Sequence, residues 1–179
     1  MGRPPLKTHR FEDAHPLPKL LMEKERLVHQ GRSCRTDMVA QLPLDENGNK
    51  IVRIGHSPDP DDAFMFHAMT TGAFPTPGYN FVHELQDIET LNHRAMNSDL
   101  EVSAVSIHAY PKISDDYALM NCGASMGEGY GPMVVSMQGA TEEQVRSNII
   151  AVPGLKTSAY MGLRLAWGDC EVAVVPFDE

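Results

Sequence analysis

Gly55-His56-Ser57-Pro58-Asp59-Pro60-Asp61-Asp62-Ala63-Phe64-Met65-Phe66 is the stretch whose reading decides the fold. It follows the mostly apolar run 51–54 and leads into an apolar, helix-prone segment. The sequence therefore reads strand, tight polar turn, helix start. Asp59 suits the N-cap, Pro60 the first helical position, and Asp61 and Asp62 place negative charge in the first turn, where the helix dipole favours it. In an α/β protein the loop that leaves the carboxyl end of a strand is where ligands bind, so the stretch marks a fold class and a candidate site together.

Working outward, from Lys50 the pattern alternates. Strand-like runs cover 51–55, 80–85, 102–107, 117–122, 133–137, 149–152 and 172–175, and helix-like runs cover 61–71, 88–97, 141–147 and 157–167. Strands separated by helical patterns predict βαβ units, a largely parallel sheet and right-handed crossovers. Gly123–Pro132 packs four glycines and a proline between two strand candidates, a composition suited to crossing between two lobes. The expected organisation is an N-terminal extension over 1–49, a first α/β lobe over 50–123 and a partial second lobe over 124–179. Within the extension, 1–18 is rich in Pro, His and charge and is expected to be disordered, and 17–30 fits one amphipathic helix. Asp45–Asn49 signals a turn.

The 179 residues suffice for one good core or two small lobes. A net charge of −9 argues against a general nucleic-acid surface, and the longest apolar runs are too short to span a bilayer. Cys34, Cys122 and Cys170 lack C-x-x-C spacing, and the N-terminus shows no secretory apolar core, so a reduced cytoplasm is the expected compartment.

Several features could carry chemistry. Thr157 is a plausible N-cap after the turn Pro153-Gly154, which leaves the following N–H groups and the helix dipole to a carboxylate or phosphate; a capped helix and nothing more is the plainer reading. Asp59, Asp61 and Asp62 lack calcium-loop spacing, and capping explains all three, so no metal is expected. The glycine-rich loop has neither phosphate-binding signature. His56 and His108 each lie at a strand end, where a shared cleft is conceivable and a hydrogen-bonded scaffold role is the plainer reading. Among the eleven methionines, Met65 and Met69 at helical spacing read as core filler.

Taken in order, Ser57–Phe64, Asp87–Asn92, Ser106–Tyr110, Gly123–Pro132 and Pro153–Tyr160 resemble the menaquinone-biosynthesis enzymes of the futalosine route. The dihydroxynaphthoate synthase branch is the nearer and chorismate dehydratase a sister. The resemblance runs from Ile51 to Glu179. It implies a type II periplasmic-binding-protein-like fold, two α/β lobes with the substrate between them, and no metal or organic cofactor. It implies a lyase that splits cyclic dehypoxanthine futalosine, a carboxylated spirocycle, into dihydroxynaphthoate and a sugar-derived fragment. Carried over by motif, Ser57, Asn92 and Ser103-Ala104-Val105-Ser106 would line the cleft. Thr157, Ser158 and Ala159 would offer the substrate carboxylate a helix terminus, which favours the anion reading of that segment.

Two departures stand out. The family's first motif usually reads Ser-Pro-Cys-Pro-Asn-Asp-Thr-Phe, whereas Asp59, Asp61 and Ala63 stand here. The family's catalytic histidine lies in an Ile-Ile-His-Glu-like strand expected beyond Glu179. This chain is therefore expected to be inactive, with no catalytic residue nominated, and an incomplete second lobe is expected to favour self-association. A non-catalytic binder of small carboxylates and a chorismate dehydratase are the alternatives.

Overall fold

A computed structural model describes residues 6–9 and 42–176. Its largest sheet is β2 (Lys50–His56) flanked by β3 (Tyr79–Leu85) and β4 (Val102–Ser103), all parallel, in the order β3-β2-β4. Helix α1 (Pro60–Thr70) connects β2 to β3, and α2 (Ile88–Met96) connects β3 to β4. His56 stacks on Phe66 of α1 at 4.3 Å between ring centroids. A Cβ on the neighbouring Gly55 would instead meet Leu91 of α2. Successive strand residues face opposite ways, so the two helices cover opposite faces of the sheet. This is the doubly wound arrangement, and its strand order reverses at β2.

The core of this sheet is Val52 and Ile54 of β2, Leu91 and Ala95 of α2, and Leu100, Ala109 and Ile113. Gly55 is what allows α2 to approach. A Cβ there would lie 2.5 Å from Leu100 Cδ1 and 2.6 Å from Leu91 Cδ2, both on buried side chains. Gly55→Ala is therefore expected to cost about 1–3 kcal/mol by overpacking, read from urea denaturation. Arg94 fastens α2 at the sheet's edge through Glu84 and Asp99, each at 2.6 Å.

The remaining described elements are shorter. β5 (Val134–Met137) pairs antiparallel with β1 (Leu6–His9), and β6 (Ile150–Val152) pairs parallel with β7 (Val172–Val174). Helix α3 (Glu142–Arg146) carries a capping box, in which Thr141 and Gln144 bond each other's backbone, and α4 (Ser158–Trp167) crosses from β6 to β7. Ile150, Val152 and Leu163 form their core, with Tyr160, Trp167 and Val172 packed against it. Among the described residues no helix is long and apolar enough to cross a membrane.

Five expectations need correction. The strand expected over 102–107 is only Val102–Ser103, because Asn92 takes the Ser106 N–H and Ser106 then opens a tight turn by accepting from Ala109 N. The run 117–122 forms no strand; it pairs with no strand among the described residues, and Tyr117 instead anchors its hydroxyl to the Leu100 carbonyl at 2.6 Å. Methionine is not core filler here: none of the described methionines is buried, and α1 buries no residue at all. Asp59 occupies the N-cap position without a side-chain cap bond, because its carboxylate accepts from Ser57 Oγ. Within 1–18, expected to be disordered, Leu6–His9 forms a strand; the helix suggested over 17–30 lies outside the described residues.

Candidate functional site

The carboxyl ends of β2 and β4 lie side by side at the point where strand order reverses, the place where open α/β sheets bind ligands. Ala104 N donates to the Gly55 carbonyl at 2.8 Å and holds the two exits together. Ser57 follows β2 and is buried; its N–H donates to Asp62 Oδ2 at 2.7 Å, and its hydroxyl donates to Asp59 Oδ2 at 2.6 Å. The aspartates thus fasten the turn. Burial raises the Asp62 carboxyl above its ordinary range, only partly offset by the Ser57 N–H, whereas a hydrogen bond from Ser125 lowers Asp61. Among the described residues no group of three His, Cys, Asp or Glu side chains converges as a metal site would require.

Asn92 is wholly buried on α2. Its Nδ2 donates to Ser106 Oγ at 3.0 Å, and its Oδ1 accepts from Ser106 N at 2.8 Å. Asn92 therefore shapes the loop Ala104–Ser106 after β4. Ser103 and Val105 are half-buried beside it, and Ser103 Oγ donates to the Ala104 carbonyl at 3.0 Å.

The helix terminus at α4 is brought to the same region by two contacts. His108 Nδ1 donates to the Thr157 carbonyl at 3.1 Å. Glu89, in the first turn of α2, accepts from Lys156 N with both carboxylate oxygens, at 3.2 and 3.1 Å. Gly154 permits this approach, since a Cβ there would collide with Glu89 Cδ and Cγ. Thr157 is a true cap: its Oγ1 accepts from Tyr160 N at 3.2 Å and donates to the Gly154 carbonyl at 2.8 Å. The N–H groups of Ser158 and Ala159, at the first two positions of α4, have no carbonyl one turn back within the helix, so they and the helix dipole suit an anion.

Sequence reading singled out Ser57, Asn92, Ser103–Ser106 and Thr157–Ala159; all but Asn92, which lies buried on α2 behind the loop after β4, fall on the strand exits and the helix terminus that meet there. It missed Glu89, which joins the two. The signal was present, because Glu89 and Asn92 are three apart on one helix face behind the cap Asp87. His56 and His108 do not meet; each is bound into the scaffold. His56 Nδ1 faces the Ser57 carbonyl at 3.1 Å and must carry the hydrogen, so His56 Nε2 accepts from His83 Nδ1 at 3.0 Å. His83 Nε2 is then a buried lone pair without a partner among the described residues.

Burial, and secondarily repulsion from the His56 ring when it too is protonated, lowers the His83 pKa. A folded-state value below the unfolded one means that the unfolded chain binds the proton more readily. The contribution is whole above about pH 6.5 and is lost as pH falls through the folded-state value. The expected result is a stability that declines on acidification below pH 6.5, with a smaller decline in His83→Gln, measured by urea denaturation at stepped pH.

A parallel α/β protein with a capped helix terminus set against its strand exits is the class this geometry defines. The family model described as menaquinone biosynthesis matches residues 52–178, and this chain belongs to that family. It is 33% identical over 135 residues to a 1,4-dihydroxy-6-naphtoate synthase of Streptomyces coelicolor, covering 72% of this chain and 46% of the relative. It is 35% identical over 114 residues to one of Thermus thermophilus, covering 64% and 41% respectively. The crystal structure of protein AF1704 from Archaeoglobus fulgidus is similar at 45% identity and a TM-score of 0.66, over 72% of this chain and 47% of that one. The chain thus spans about half the length of the curated relatives it matches.

Proposed function

We propose that this chain is part of a cytoplasmic 1,4-dihydroxy-6-naphthoate synthase-like lyase that acts on cyclic dehypoxanthine futalosine. Its fold would be of the type II periplasmic-binding-protein kind, with the β2–β4 sheet and the β6–β7 sheet in separate lobes and the substrate between them. The observation that carries this reading is the seam where Glu89 and His108 hold the α4 terminus against the exits of β2 and β4. The substrate carboxylate would sit on the Ser158 and Ala159 N–H groups, with Thr157 fixing their direction. Ser57, Ser103 and the Ala104–Ser106 loop would line the facing wall, and Asn92 would position that loop rather than touch the ligand. The reaction would need no metal or organic cofactor.

The base would be the family's histidine, on the strand that the resemblance places beyond Glu179. The chain by itself is accordingly expected to bind the cyclic substrate without converting it. The test is an assay with cyclic dehypoxanthine futalosine, following naphthoate absorbance alongside thermal unfolding. Stabilisation without turnover is the expected outcome. Turnover by this polypeptide alone would overturn the assignment of an inactive half. Stabilisation by chorismate or unrelated small carboxylates, with none by the cyclic futalosine, would favour a dehydratase relative or a plain binder.

A further inference from the structure

His56 and His83 take no part in the seam at α4, yet they bear on the same cleft through Ser57. Ser57 is buried at the exit of β2, and both of its backbone groups are held by side chains. Its N–H donates to Asp62 Oδ2 at 2.7 Å, and its carbonyl accepts from His56 Nδ1 at 3.1 Å. His56 is itself buried and doubly steadied: its ring stacks on Phe66 of α1, and its Nε2 accepts from His83 Nδ1 at 3.0 Å. We propose that His83 is a positioning residue for the ligand's wall: through His56, and only while the pair is neutral, it fixes the Ser57 carbonyl and the turn that carries the Ser57 hydroxyl. This rests on the reading above that Ser57 lines that wall.

The neutral pair carries one hydrogen on each Nδ1, given to the Ser57 carbonyl by His56 and to His56 Nε2 by His83. His83 Nε2 is left, buried and without a partner among the described residues. An added proton has two places to go. On His83 Nε2 it makes a buried cationic donor with no acceptor. On His56 Nε2 it meets the His83 N–H head-on, unless His83 moves its own hydrogen to Nε2, which is the first case again. The bond between the rings is therefore stable only without that proton. Uptake releases His83, and β3, the outer strand of its sheet among the described residues, gives the charged ring a way out to water. Burial lowers the His83 pKa accordingly.

The neighbouring charges act in the same direction. On α1, burial raises the Asp62 pKa, while the Ser57 N–H and the His56 charge pull it back. A protonated His56 thus competes for the carboxylate that holds the Ser57 N–H, and both backbone bonds of Ser57 loosen together. In the turn, Asp59 is already bound to the Ser57 hydroxyl. On β3, Glu84 belongs to the opposite face and pairs with Arg94 of α2.

Two arms test this. Without ligand, the Ser57 carbonyl carbon-13 shift and the ring nitrogen-15 shifts of His56 and His83 are followed from about pH 7.5 to about pH 5. The Ser57 carbonyl is expected to move with the midpoint of the rings. That step should vanish in His83→Gln, whose amide still donates to His56 but does not titrate. With cyclic dehypoxanthine futalosine, calorimetric affinity is expected to fall about tenfold over the same range in the unaltered chain, and less than about twofold in His83→Gln. His83→Leu, which donates nothing, should bind more weakly than His83→Gln already at about pH 7.5 and should also be flat in pH. A Ser57 carbonyl that does not follow the rings, or a His83→Gln chain as pH-dependent as the unaltered one, would overturn the proposal. Absence of binding at every pH would strike the substrate reading instead, and the arm without ligand would still decide the link from His83 to Ser57.

Discussion

Asn92→Ala is expected to lower stability by about 3 kcal/mol in urea denaturation, the combined effect of a lost buried side chain and an unsatisfied buried donor. Asn92 is fully buried and serves Ser106 twice, as acceptor for its N–H at 2.8 Å and as donor to its hydroxyl at 3.0 Å. Removing the amide leaves the Ser106 N–H buried without a partner. Ser106→Ala keeps that N–H satisfied and should cost only about 1 kcal/mol. The ordering of the two variants is the informative part. Equal costs would mean that the loop after β4 is held by something other than Asn92.

The second large effect is a coupling. Gly154→Ala is expected to cost about 2 kcal/mol, because the new methyl collides with Glu89 where its carboxylate receives Lys156 N. Glu89→Ala should itself destabilise, by loss of a hydrogen bond to a charged acceptor. It also removes the obstacle. The double variant should therefore be no less stable than Glu89→Ala alone, which corresponds to a coupling of about 2 kcal/mol in a double-mutant cycle. Additive costs would place the Gly154 constraint elsewhere, in its backbone rather than against Glu89.

Much of the first sheet was legible because independent signals agreed. The run 51–54, the turn Ser57–Pro60 and the proline at the head of α1 all point to one strand–turn–helix unit, and it is there. Thr157 was legible as a cap for the same local reason. The failures are non-local. Tyr117–Cys122 has the composition of a strand, but strand formation depends on a partner that composition does not report. The strand at 102–107 is cut short by an amide from another element. The burial of Met65 and Met69 was inferred from spacing alone, and α1 lacks the one-sided polarity that would have supported it. Glu89 and Lys156 are 67 positions apart, and His56 and His83 are 27 apart, so neither pairing could be read along the chain.

The central claim is that the α4 terminus, held by Glu89 and His108 against the exits of β2 and β4, receives a carboxylate. The most direct measurement is a titration of the isotope-labelled chain with cyclic dehypoxanthine futalosine, followed by amide chemical shifts. The account predicts that the largest changes fall on Ser158 and Ala159, with smaller ones over Ala104–Ser106, and that the corresponding carboxamide leaves Ser158 and Ala159 unmoved. Shifts confined to other residues, or the same shifts with the carboxamide, would contradict it.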